Sequence, residues 1–239
     1  MQTDPTFVLI HGASHGGWCW RHVADLLRHH GCVVVTPTLT GLGEREHLIA
    51  SATMDTQIRD VVGVIECEEL NDVILVGHSF GGLTAIGVAD RIPERLRQVV
   101  FLDSLLVDHG KSVFDTLPID VVETRRAESE IHLGVRCMRI PPPEAYGVTD
   151  PDDAAWLSRR LTPHPIALYE EKMPWLHPIG NGLPCTYISL CDPAYSTIDA
   201  SRDYARGRSD WTWLELPSGH DAMIIDPVLV AEALQALVR

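Results

Sequence analysis

The six cysteines of this 239-residue chain form no C-x-x-C pair, so neither a zinc ribbon nor a dithiol redox centre is expected. Cys19, Cys32, Cys67, Cys137, Cys185 and Cys191 lie far apart, several in apolar runs, and read as free thiols. No apolar stretch approaches the roughly 18 residues that span a bilayer, and no basic segment precedes the short apolar run FVLI near the N-terminus. A cytoplasmic protein without a membrane partner is predicted. Basic clusters are also missing. With 33 acidic residues against 19 Lys and Arg, the formal charge of -14 excludes nucleic acid as the main partner, because phosphate binding needs concentrated positive charge. No G-x-G-x-x-G follows the first strand-like run, and GHSFGG lacks the lysine of a phosphate loop. His11 and His15 are four apart, but the glycines between and beside them deny a helical metal-binding face. Neither cofactor nor metal is expected. The chain has no internal repeat or low-complexity tract.

What the chain has is alternation. Continuous β-branched runs occur at 7–12, 32–37, 73–79, 98–104, 185–192 and 211–217, with helical segments at 18–30, 54–70, 80–91, 196–207 and 227–238. Unbroken apolar runs suit strands covered on both faces, so an α/β fold with a mainly parallel sheet and helices on both faces is predicted. Asp226 before Pro227 reads as the N-cap of the last helix. Between 105 and 178 strand signals fade into proline-broken helical pieces. A core of 1–104 and 179–239 with a helical cap insertion of 105–178, lying over the carboxyl ends of the strands, is the expected organisation.

Within VILVGHSFGGLTAIGVA, residues 73–89, a strand turns directly into a helix at Ser79, flanked by Gly77 and Gly81. G-x-S-x-G in that setting raises a serine hydroxyl above the sheet at a helix N-terminus, where developing negative charge is favoured. A capping hydroxyl in a tight turn is the plainer alternative. A nucleophile needs a base, and His220 in LELPSGHDAM follows the last strand through a turn, at the same sheet edge. For the orienting acid, Asp192 in YISLCDPAYS is favoured over Asp103 in VVFLDS, because the loop of Asp192 should neighbour that of His220. Asp199, Asp221 and Asp226 are weaker candidates. Backbone N–H groups of Ala13, in HGASHGGW, and Phe80 are the expected oxyanion donors.

The motifs FVLIHGASHGGWCW, TPTLTGLGER, VGHSFGG and SGHDAMIIDP, in this order, resemble the α/β-hydrolase superfamily and within it the branch of plant methylesterases and hydroxynitrile lyases. That resemblance implies an α/β-hydrolase fold and the same roles for Ser79, His220, Asp192, Ala13 and Phe80. It also shows two departures from the lyases, which carry a lysine where Asp221 stands and a threonine where Gly12 stands. A lysine would stabilise departing cyanide and an aspartate would oppose it, so the sequence points to an esterase acting on a small apolar or aromatic ester. Candidate pocket residues are Ser14, His15, Leu105, Phe114, Tyr169, Met173, Trp175 and Met223. Carbon-carbon or cyanohydrin cleavage and small-molecule reception remain alternatives on the same fold. A homodimer is compatible with the sequence.

Overall fold

The computed structural model describes residues 4–238. In chain order, β1 (Thr6–Ile10), α1 (Arg21–His29), β2 (Val33–Val35), α2 (Met54–Cys67), β3 (Val73–His78), α3 (Gly81–Arg91) and β4 (Leu96–Leu102) form the first half of the core. The insertion carries α4 (Ile119–Ala127), β5 (Glu130–His132), β6 (Val135–Met138), α5 (Pro151–Ser158), β7 (His164–Pro165) and α6 (Ala167–Glu170). The core resumes with β8 (Cys185–Leu190), α7 (Asp199–Arg206), β9 (Thr212–Leu216), α8 (Ala222–Ile225) and α9 (Pro227–Ala236).

Six parallel strands form one sheet in the order β2-β1-β3-β4-β8-β9. Successive residues of a strand point to opposite faces, and both faces are apolar. Val8, Ile10, Leu75, Val99, Phe101 and Tyr187 pack with α2 and α3 on one side. Phe7, Leu9, Ile74, Val76, Val100 and Ile188 pack with α1 and α9 on the other. This double coverage explains why the strands read as unbroken hydrophobic runs. The expected Asp226 cap is present, and α2 is capped as well. Thr53 accepts from Thr56 N–H at the start of α2, and the Asp226 carboxylate accepts from Leu229 N–H at 3.1 Å at the start of α9.

The insertion departs from the expected all-helical cap. It contains a three-stranded antiparallel sheet, β5-β6-β7, beside short helices. The hairpin turns on Leu133 and Gly134, both with positive φ (47° and 80°), the geometry that tight hairpins require. EIHLGVRCM carried that signal weakly, since no Asn-Gly or Asp-Gly marks the turn.

Candidate active site

Ser79 sits between β3 and α3 with φ of 52°, a left-handed conformation that is strained for any residue with a side chain. The neighbouring glycines make the turn possible. A Cβ at Gly77 would lie 2.7 Å from Gly81 O, and one at Gly81 would lie 2.5 Å from His11 O. Backbone bonds hold the turn, with Ser79 O accepting from both Gly82 N–H (3.1 Å) and Leu105 N–H (3.0 Å).

His220 Nε2 lies 3.0 Å from Ser79 Oγ, and His220 Nδ1 lies 2.7 Å from Asp103 Oδ2. The acid beside the histidine is therefore Asp103, not the expected Asp192. β4 neighbours both the strand of Ser79 and β8, and Asp103, with φ of 45°, turns inward where β4 ends. Asp103 is fully buried. Arg202, on α7, grips it through Nε and Nη2 to Oδ1 (3.2 and 2.9 Å) and Nη2 to Oδ2 (3.1 Å). Leu190 N–H also donates to Oδ1 at 3.1 Å. Asp192 is exposed at the surface, its backbone N–H donating to Ser218 O at 3.1 Å. The loop after β8 instead contributes Tyr195, whose ring stacks on His220 at 4.3 Å between centroids. Among the residues that sequence reasoning missed, Arg202 left no signal, since its partner lies 99 positions away.

Above Ser79 lies a cavity of about 400 Å³, walled by core loops and by the insertion. Of the expected pocket residues, Ser14, His15, Leu105 and Tyr169 line it. Phe114, Met173, Trp175 and Met223 do not. Phe114 packs behind the wall against the Tyr169 ring, and Met173 and Trp175 are buried in the same apolar cluster. Met223 is buried on the opposite face of the sheet. Tyr146, Tyr195, Met138, Ile140, Arg125 and Glu128 are among the further wall residues and were not foreseen.

The loop of residues 12–15, where the sequence places an oxyanion donor, is tightly framed. A Cβ at Gly12 would lie 2.8 Å from Ser79 Cβ, so the loop backbone runs hard against the serine. Ser14, with φ of 64°, donates its N–H to His164 Nδ1 (3.4 Å) and accepts from Thr162 N–H (2.9 Å), both from the insertion. Ala13 lines the cavity beside Ser79, and Phe80 is the first residue after the turn.

Three histidines near the site are buried and neutral. Burial lowers His11 and His164 to about 3, and lowers His78 well below its usual value. The hydrogen bonds of His11 agree, since Nδ1–H donates to Gly12 O (2.8 Å) while Nε2 accepts from Leu39 N–H (3.0 Å).

Comparison with known proteins bears on this geometry. Residues 7–233 match the model of the alpha/beta hydrolase family. A carbendazim hydrolyzing esterase from Nocardioides sp. (strain SG-4G) is 40% identical, over 97% of this chain and 98% of that one. Methylesterase 9 of Arabidopsis thaliana is 32% identical over 52% of this chain and 51% of its own length. Among solved structures, an extracellular alpha/beta-hydrolase from a Paenibacillus species superposes with a TM-score of 0.80, 24% identity and 98% coverage of both chains. A pyrethroid hydrolase from Sphingobium faniae JZ-2 gives 0.76 at 20% identity, covering 98% of this chain and 97% of its own, and the two likenesses show a shared fold. By family match and by near-full-length similarity, the chain belongs to the alpha/beta hydrolase family.

Proposed function

We propose that the protein hydrolyses a small carboxylic ester through a covalent acyl-enzyme, with Ser79 as nucleophile, His220 as base and Asp103 as the orienting acid. The observation that carries this reading is the unbroken chain Ser79 Oγ, His220, Asp103, with contacts of 3.0 and 2.7 Å, opening on the cavity. Asp103 fixes the tautomer. With Nδ1–H donated to the carboxylate, Nε2 is free to take the serine proton.

As Oγ attacks the carbonyl carbon, His220 takes the proton and the carbonyl oxygen becomes an oxyanion, held by N–H groups of Ala13 and Phe80. Collapse expels the alcohol, which leaves with the proton from His220. Water then attacks the acyl carbon, giving its proton to the same ring, and Ser79 Oγ departs with that proton from His220 as the acid forms. Tyr195 stacked on the imidazole restricts its rotation through this cycle.

Tyr146, Tyr169 and Tyr195, with Leu105, Met138 and Ile140, favour a planar or aromatic ester of modest size. Cyanohydrin cleavage is disfavoured because Asp221 stands where a lysine would hold departing cyanide, and because at Gly12 a larger side chain would strike Ser79. The likeness to a carbendazim hydrolyzing esterase makes carbendazim the first compound to assay, beside methyl and aryl esters. Mass spectrometry of a quenched reaction should find one acyl group on Ser79 and none in Ser79→Ala. Turnover that persists in Ser79→Ala would overturn the reading.

A further inference from the structure

A second histidine–aspartate pair lies beside the first, and the chemistry above leaves it without a role. His15 Nε2 lies 3.0 Å from Asp221 Oδ2, and His15 Nδ1 lies 2.7 Å from Ala13 O. The two side chains are 2% and 0% exposed. A carbonyl oxygen can only accept, and so can a carboxylate. Both ring nitrogens of His15 must therefore donate, which requires an imidazolium. His11, four residues earlier, faces one acceptor and one donor and is neutral by the same rule.

Every group facing the ring fits this charge. The Asp221 carboxylate supplies the counter-charge, and the other neighbours are the Trp18 indole (5.4 Å, stacked), the Tyr146 phenol (5.7 Å) and the neutral His78 ring (6.4 Å). His11 in the same loop is neutral too, and His220 adjoins Asp221 in the chain. Burial alone would push His15 down and Asp221 up. The attraction between them outweighs burial, raising the imidazole and lowering the carboxyl.

The location of the pair gives it a task. His15 closes the oxyanion loop through Ala13 O, while Asp221 directly follows His220, the proposed base. We propose that the His15–Asp221 ion pair is a positioning pair that fastens the oxyanion loop to the loop of the catalytic histidine, so that oxyanion donor and base are aligned by one contact. Neither side chain exchanges a proton with substrate. Asp221 Oδ1 has no hydrogen-bond partner among the described residues, so compensation for the buried carboxylate comes through Oδ2 and His15. The kinetic role, though not the ion pair, rests on the ester-hydrolase reading.

The test combines ¹⁵N NMR of histidine side chains with kinetics on the full chain, using Asp221→Asn and His15→Gln, singly and together. Rates are expressed per site titrated with a fluorophosphonate, which excludes misfolded molecules. The expected result is one ring with both nitrogens protonated at neutral pH, absent from His15→Gln and reduced to one proton in Asp221→Asn. Alongside it, kcat falls roughly ten- to hundredfold at nearly constant KM, and the double variant is no worse than the poorer single. A His15 ring with one proton at neutral pH overturns the proposal. So do wild-type kcat in both single variants, or losses that multiply in the double variant. If the wild type turns over no ester, the ester-hydrolase reading fails instead, and the NMR signature still decides the ion pair.

Discussion

Two buried histidine–aspartate pairs stand side by side, and their third partners separate them. His220 has a hydroxyl on its far nitrogen, which can give up a proton, whereas His15 has a backbone carbonyl, which cannot. Their carboxylates differ as well. Asp103 is gripped by Arg202 and by Leu190 N–H, while Asp221 keeps one oxygen without a partner among the described residues. The same two side chains can thus make a proton relay or a fixed ion pair, and the atom beyond the imidazole decides which.

The largest break in this comparison is removal of the relay itself. Ser79→Ala is expected to lower kcat about a millionfold, checked by steady-state assay on an ester that the wild type cleaves. Asp103→Asn should follow, at about ten-thousandfold, because an amide N–H can stabilise the wrong tautomer. Asp192→Asn, in the same assay, should stay within about twofold of wild type, since that carboxylate is exposed.

Arg202→Met comes next and acts on stability. It takes the guanidinium from a buried carboxylate that keeps Leu190 N–H and His220, and loss of one partner of such a pair costs about 3–5 kcal/mol, measurable as a lower urea midpoint. Among the described residues, His15 is the one ion-pair partner of Asp221.

The smallest effects are in pH dependence. His11, His78 and His164 are held neutral by burial, so below the unfolded histidine value of about 6.5 the unfolded chain binds more protons, and stability falls as pH falls. His15 behaves oppositely. Its folded value is raised, so its contribution is complete below about 6.5 and is lost as pH rises through the higher folded value. Urea titrations across pH should show the acid-side loss become shallower in His164→Phe, and the alkaline-side loss disappear in His15→Gln.

Those elements whose signal is local were legible in the sequence. Each of the six sheet strands lies within a few residues of an apolar run, and Ser79 and His220 meet as their strand-end positions imply. Legibility failed where partners are distant. Asp192 and Asp103 both end core strands, and the choice between them depends on Arg202 and on the inward turn at Asp103, neither visible in a linear pattern. Likewise Met173, Trp175 and Met223 have the composition of a pocket wall but pack into the core, because an apolar side chain in a sequence does not announce which apolar neighbour it meets. The hairpin of the insertion leaves no clear pattern because strands of three and four residues are too short to establish alternation.

The insertion reaches back to the loop of residues 12–15 through Thr162, whose N–H donates to Ser14 O, and through His164, whose Nδ1 accepts from Ser14 N–H. That contact limits how freely the two parts can be recombined. An insertion exchanged for another would have to bring its own segment to meet Ser14, or the loop of residues 12–15 would lose its brace. Residues 162–164 thus belong structurally with the loop of residues 12–15, although in the chain they lie inside the insertion.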